Sequence, residues 1–333
     1  MHKHPIRRLK QLVARAARRL RRLVRPDAPP AVPMRPADAV AVPERFLDGQ
    51  YTHRFGQRAY RLYLPPTTAG QPPPPRPLLL MLHGCGQTPE DFATGTRMND
   101  AARAGGFLVL YPAQSTLASL HRCWNWFKRH HQQRDQGEAA LLADLTQEVV
   151  QAHGVDPARV WVAGLSAGGA MAAVLGETYP ALFAAVGLHS GVPTGLARDV
   201  FTAMAVMKSG PATLPTHAVV PPPTVIFHGD HDEVVHPANA EEAFRRFATM
   251  GPHDTTQGRT AEGIPWTRHR VRDGLGCVRV EWWSVHGGGH AWSGGSAQGS
   301  HTGPAGPDAT AAMVAFFQTQ AQTQAAADLR QFP

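Results

Sequence analysis

The sequence predicts an α/β fold, a mostly parallel central sheet flanked by helices, and three observations lead there. From Pro77 onward, apolar runs of strand length alternate with helix-compatible stretches, as crossover connections require. One of those runs ends on Gly164-Leu165-Ser166-Ala167-Gly168 and passes straight into a stretch with helical character. The chain has 333 residues, of which 43% are hydrophobic, so it holds enough apolar mass to bury a full core in one large domain.

The elements are taken in chain order. Residues 1–26 hold ten Lys and Arg and no acid, against a formal net charge of +8 for the whole chain, which leaves the remainder near −2. The body is therefore not a basic protein; it carries a basic arm. Ile6, Leu9, Val13, Leu20 and Val24 fall at helical spacings, so the arm reads as a basic amphipathic helix suited to an anionic or apolar surface such as a granule, a membrane or nucleic acid. A solvated tail is the plain alternative. No apolar run of about 7 to 15 residues precedes Pro26, as a secretory signal would need, and no later segment is apolar enough to span a membrane. The expected placement is cytoplasmic, on a granule, with secretion left open. Pro-rich stretches at 26–43 and 65–77 punctuate the chain beyond the arm. The expected division is an arm and linker over 1–44, a catalytic domain over 45–325 and a tail over 326–333.

Within the body, YTHRF and RAYRLYL around Gly56 predict an edge hairpin. Strands are expected at PLLLML, FLVLYP, RVWVAGL, FAAVGLH, TVIFHG and CVRVEWWSV, and helices at about 90–104, 137–153, 167–179, 237–249 and 307–321. The segment from about 192 to 222 shows no period and is expected to be a cap or a long surface loop.

The chemistry starts at Ser166. GxSxG between a strand and a helix is a nucleophile elbow, in which glycines at 164 and 168 leave room for a sharp, strained turn, and it points to the α/β-hydrolase type. Serine is a weak nucleophile at neutral pH, so it needs a histidine to take its proton and a carboxylate to orient that histidine. In this fold the order is Ser, Asp, His. GDHDEVVHP offers Asp230, Asp232 and Glu233; Asp232 is preferred for its loop position beyond His228, with Asp230 in reserve. VHGGGHAWSGG offers His286 and His290; His290 is preferred because three glycines precede it while His286 ends a strand. Two backbone donors for an oxyanion hole fall at Ala167, directly after the nucleophile, and at Cys85 in the HGCGQ turn. The cluster His228, Asp230, His231, Asp232 and His236 matches no metal-ligand spacing with a mechanism, so no metal and no cofactor is expected. Cys85, Cys123 and Cys277 are too few for a disulfide scaffold, and at most one pair can form.

The segments LHGCGQ, HRCWNWF, GLSAGGAM, FHGDHDEVV and GGGHAWSGG together resemble the catalytic domain of the polyhydroxybutyrate depolymerase family of esterases, which has feruloyl and acetylxylan esterase relatives. The match runs from about residue 50 to 320. It implies Ser166, Asp232 and His290 as the triad, Cys85 at the oxyanion hole, and a disulfide between Cys85 and Cys123 that holds the HGC loop. Persistence of that bond would require an oxidising compartment, against the missing signal. Gly86 stands where the family carries a threonine or a similar residue, which would loosen the loop. Trp292 and Trp124 in the matching segments are expected to wall the substrate, with Asn125 hydrogen-bonding near the site, whereas Trp126 reads as core and Trp282 and Trp283 as structural. The resemblance implies a serine esterase acting on short-chain poly-3-hydroxybutyrate or its oligomers. Secreted polymer-degrading members of such a family append a polymer-binding module, whereas this sequence runs only a short way past the last expected helix, so efficient attack on crystalline polymer is not expected and the arm is the expected route to a granule. The rivals are a feruloyl or acetylxylan carboxylesterase and, from another class, a protein that binds a surface or nucleic acid through the arm, nucleic acid being the less favoured partner.

Overall fold

A computed structural model describes residues 41–70, 73–212 and 221–331, with side chains as far as 322. The basic arm, most of the linker after it and the expected tail lie outside the described side chains. Ten strands form one sheet: β1 (Arg45–His53), β2 (Gly56–Leu64), β3 (Arg76–Leu82), β4 (Leu108–Pro112), β5 (Val155–Leu165), β6 (Ala185–His189), β7 (Thr224–Gly229), β8 (His253–Arg259), β9 (Pro265–Arg272) and β10 (Val278–Val285). Their spatial order is β8-β9-β10-β7-β6-β5-β3-β4-β2-β1. The six strands from β10 to β4 are parallel, and an antiparallel hairpin closes each edge.

The parallel strands are apolar without interruption because both faces are covered. Along β3, Leu78, Leu80 and Leu82 enter the core on one side while Leu79 and Met81 enter the core on the other, the period-2 alternation of a strand. All five are fully buried, and each such side chain contributes about 1.5–3 kcal/mol by leaving water. The first face is covered by α3 (Gly137–Ala152) and α4 (Ala167–Thr178), the second by α2 (Met98–Gly105) and α7 (Ala309–Gln331), whose Met313 and Phe317 reach β5 and β6.

Three differences from the sequence reading have physical causes. The expected helix at 90–104 is two helices, α1 (Pro89–Thr96) and α2, broken at Arg97 with φ 53°. Tertiary bonds impose the break: Thr96 O accepts from Thr310 Oγ1 at 2.6 Å, and the Arg97 guanidinium reaches Gly294 O and Asp308. The β8–β9 hairpin was not expected because HDTTQGR and PWTRHRVR are largely polar and half-exposed, so no apolar run marks them. Within 192–222, a stretch without sequence period, α5 (Val200–Ser209) forms behind a capping box in which Asp199 and Thr202 satisfy each other's N–H groups. Of that stretch, residues 213–220 lie outside the described residues. The helix expected at 237–249 is α6 (Ala238–Arg245).

Candidate active site

Ser166 follows the last residue of β5 and precedes the first of α4, with φ 58° and ψ −119°. A non-glycine residue held there costs on the order of 1–3 kcal/mol and persists only when its surroundings over-determine it. They do. A Cβ at Gly168 would lie 2.0 Å from Leu82 O, and one at Gly164 would lie 2.4 Å from Gly168 C, so the turn packs backbone against backbone on the end of β3. Ser166 N donates to His189 O at 2.8 Å, which ties the elbow to β6.

Asp232 sits on the loop after β7 and His290 on the loop after β10, and the fold brings them together: His290 Nδ1 is 2.7 Å from Asp232 Oδ2. A carboxylate only accepts, so Nδ1 carries the hydrogen and Nε2 is left as a lone pair. Asp232 Oδ1 accepts from the N–H groups of Val234 (3.0 Å) and Val235 (2.8 Å). Burial alone would raise this carboxyl's pKa, but contacts with His228 and His290 and the Val235 N–H outweigh it and hold the group well below the usual carboxylate range. Asp232 is therefore an anion throughout the neutral range. Ser166 Oγ makes no hydrogen bond among the described residues, to His290 or to any other, and catalytic bonds of this kind often tighten only when substrate binds.

The HGC turn is braced from both sides. His83 Nε2 accepts from Gln114 N at 3.1 Å, so Nδ1 carries the hydrogen and donates to Gly84 O at 2.7 Å. Burial pushes the His83 pKa down to about 4, which keeps the ring neutral. The Gly84–Cys85 peptide is trans and planar, so fixing Gly84 O also fixes the Cys85 N–H, which points the opposite way. Gln87 Oε1 accepts from Gly84 N at 2.8 Å, and its amide donates to Asp91 and Ser300. Among the described residues neither Cys85 N–H nor Ala167 N–H donates a hydrogen bond within the protein, which leaves both available to a ligand oxygen. Cys85 and Cys123 are joined by a disulfide with their Cα atoms 4.3 Å apart. Gly86 does not slacken this loop: it adopts φ 78°, a left-handed conformation that glycine takes without strain, and its N–H donates to His121 O at 2.8 Å.

An apolar cavity of about 140 Å³ opens beside Ser166 and Ala167. The disulfide forms part of its wall, with Trp126, Phe127, Val192, Met204, Met207 and Val235. The aromatic residues expected there are elsewhere. Trp124 is fully buried, its indole N–H donating to His83 O at 3.0 Å. Trp292 is 1% exposed, donates to Thr310 Oγ1 and stacks on His189 beneath the His290 loop. Asn125 bonds Glu138 with both its N–H and its side chain, in a buried cluster with Arg58 and Gln114 that anchors the segment before the cavity wall. The walling role falls instead to Trp126, which reads as core in the sequence, to its neighbour Phe127 and to α5. Alternate residues of CWNWF face different ways, and loop geometry rather than composition sets which way each one faces. For α5 the signal was present: the run VFTAMAVM follows the cap at Asp199. His83, Gln87 and His228 were also missed as supports, since each acts only through a contact made in three dimensions.

A parallel sheet with its elbow serine, aspartate and histidine at the C-terminal strand ends is the α/β-hydrolase fold, and the solved structures agree. An acetyl xylan esterase from Aspergillus awamori superposes with a TM-score of 0.60 at 20% identity, over 73% of this chain and 94% of that one. Residues 58–272 match the family model described as esterase PHB depolymerase, and the chain belongs to that family. It is 32% identical over 230 residues to a poly(3-hydroxyalkanoate) depolymerase C from Paucimonas lemoignei, covering 64% of this chain and 54% of that protein. It is 27% identical over 219 residues to a feruloyl esterase B from Thermothelomyces thermophilus, covering 60% of this chain and 74% of that protein. The match thus spans about half the length of the depolymerase.

Proposed function

We propose that the chain hydrolyses carboxylic esters of short, uncharged acyl groups through an acyl-enzyme on Ser166, with 3-hydroxybutyrate polyester or its oligomers as the preferred substrate. Ser166 Oγ attacks the ester carbon while His290 Nε2 takes its proton. The carbonyl oxygen becomes an oxyanion received by the Cys85 and Ala167 N–H groups, each such donor being worth about 10²–10³-fold in rate. As the tetrahedral intermediate collapses, the imidazolium gives its proton to the departing alkoxide. Water then attacks the acyl-enzyme by the same route, releasing the acid and restoring Ser166. Asp232 stabilises the imidazolium at both stages. Each step uses only protein groups and water.

The observation that carries the substrate reading is the cavity beside Ser166. Its walls are apolar, and at about 140 Å³ it falls below the roughly 300 Å³ at which drug-sized sites begin. A four-carbon acyl unit suits it better than a feruloyl ring. Phe201 and Met204, on the helix that walls this cavity, are 85% and 66% exposed, which suits contact with an apolar solid. The basic residues of 1–26 would add docking on a granule surface. The names of the relatives favour acetylxylan or feruloyl esters as the second reading. For the compartment, the Cys85–Cys123 disulfide favours oxidising surroundings over the cytoplasmic placement expected from the N-terminal residues; finding three free thiols in protein denatured without reductant would reverse that preference.

The test measures 3-hydroxybutyrate released from amorphous granules against acetate or ferulate released from sugar esters, for the wild type and Ser166→Ala. The expected result is granule turnover that exceeds sugar-ester turnover and disappears in the variant. Equal activity of the two proteins would refute the mechanism, and faster sugar-ester turnover would refute the substrate.

A further inference from the structure

We propose that His228 is a positioning residue for the Asp232–His290 pair, a second imidazole bracing the same carboxylate oxygen that the base uses. The proposal rests on the hydrolytic reading above. His228 is the penultimate residue of β7, 1% exposed, and registered against Ser284 of β10, so its backbone belongs to the rigid part of the sheet. Its Nε2 lies 2.7 Å from Val235 O and 3.3 Å from Asp232 Oδ2. Both neighbours only accept, so Nε2 carries the hydrogen. The shorter contact takes most of it and closes the loop from 228 to 235 into a ring, while the longer one sets the partial positive charge of the N–H beside Oδ2.

The four contacts divide between the two carboxylate oxygens. Oδ1 is held by the Val234 and Val235 N–H groups; Oδ2 receives His290 and faces His228. Neither oxygen is free to rotate away from the base. Packing alone does not account for an imidazole here, because its Nδ1 is buried and has no partner among the described residues, a cost that a phenylalanine of similar size would not carry. The N–H beside Oδ2 has two consequences: it fixes the carboxylate's orientation, and it draws charge away from the oxygen that supports the His290 imidazolium. Removing it would leave a more strongly anionic Oδ2 against the His290 imidazolium that forms during the reaction. The other titratable groups facing this pair are His189, buried in β6, and the Asp230–His286 pair on the same two loops, with the exposed His231 beside Asp230.

The experiment uses the full chain and a soluble chromogenic butyrate ester. It measures kcat, KM and the pH profile of kcat/KM for the wild type, His228→Phe, His228→Gln and Ser166→Ala, with thermal midpoints in parallel. His228→Phe is expected to lower kcat about tenfold with KM little changed, and to move the acid limb of the profile to higher pH. His228→Gln, whose amide N–H reaches the place of Nε2, is expected to recover most of the rate and return the limb. A Phe variant with the wild-type rate and limb overturns the proposal, as does a slow one whose limb stays in place and which Gln fails to rescue. If the Phe variant does not fold, His228→Asn replaces it; its shorter amide falls short of Oδ2, and equal rates and limbs for Asn and Gln count against the proposal. Loss of activity in Ser166→Ala beside an unaltered His228→Phe sinks only this proposal, whereas an active Ser166→Ala sinks the hydrolytic reading and this proposal with it.

Discussion

Two aspartate–histidine pairs stand on the same two loops and are built alike. His290 Nδ1 meets Asp232 Oδ2 at 2.7 Å; His286 Nδ1 meets Asp230 Oδ2 at 2.8 Å. In each pair the other carboxylate oxygen accepts backbone N–H, from Val234 and Val235 in the first and from Gly287 in the second. They differ in burial and in what the far ring nitrogen does. The Asp232 and His290 side chains are 0% and 13% exposed, against 36% and 39% for Asp230 and His286. His286 Nε2 is occupied by Thr267 Oγ1 at 2.8 Å, while His290 Nε2 makes no hydrogen bond among the described residues. The outer pair is a surface tie that spends both nitrogens on holding loops together. The inner pair has a dry anion behind it and a free lone pair in front, which is what a base requires.

That contrast can be broken by exchanging the roles. His290→Ala is expected to lower kcat by about 10⁴-fold or more, while His286→Ala leaves it within a few-fold. Steady-state kinetics on a soluble ester decide, and comparable losses would erase the distinction. Asp232→Asn is expected to cost about 10⁴-fold by favouring the wrong tautomer of His290, against little for Asp230→Asn. Outside the two pairs, the loop closed by the Cys85–Cys123 disulfide spans 38 residues, and replacing both cysteines by serine should cost about 3–4 kcal/mol in chemical denaturation. The same variant should lose more rate on ester than Asp230→Asn does, because it also frees the oxyanion turn.

A smaller effect sharpens the contrast between paired histidines and the buried His83, which has only neutral partners. Folded His83 stays neutral down to about pH 4, whereas in the unfolded chain it takes up a proton near its ordinary 6.5. Between those values the unfolded state binds more protons, so stability is full above about 6.5 and declines as pH falls towards 4, by about 3 kcal/mol from this group. Urea unfolding between pH 7 and 4.5 measures it, and a flat midpoint would show that the ring is not held neutral. Asp230 behaves in the other direction. Burial opposes it, but bonds from His286 and Gly287 depress its pKa, so its contribution is present above the ordinary carboxylate pKa and is lost below it. At about a third exposed, the pair is worth less than about 1 kcal/mol, and Asp230→Asn should move the neutral-pH midpoint only slightly.

Much of this was legible because the relevant signals are local. The uninterrupted apolar run from Leu78 to Leu82 and the glycines flanking Ser166 are set by neighbours in the chain, and the order of serine, aspartate and histidine follows from the fold those runs predict. The preference for Asp232 over Asp230 and His290 over His286 also came from loop position, yet nothing in one dimension could state that Asp232 is buried and Asp230 is not. The placement of Trp124 and Trp292 in the substrate wall was incorrect for the same reason. A tryptophan two residues along a loop faces wherever the backbone turns it, and here Trp126 faces the cavity while Trp124 supports His83.

Strand period, helix starts and a strained glycine turn are properties of contiguous residues, so the parallel strands, the elbow and the candidate serine, aspartate and histidine are legible in the chain, whereas the polar β8–β9 edge is not. Which imidazole keeps a free nitrogen, which carboxylate is dry and which side chains line the 140 Å³ beside Ser166 are fixed by contacts across the fold. Those properties depend on contacts between β7, β10, α5 and the HGC turn. Segments far apart in the chain supply the burial and the hydrogen-bond partners that turn similar residues to different ends.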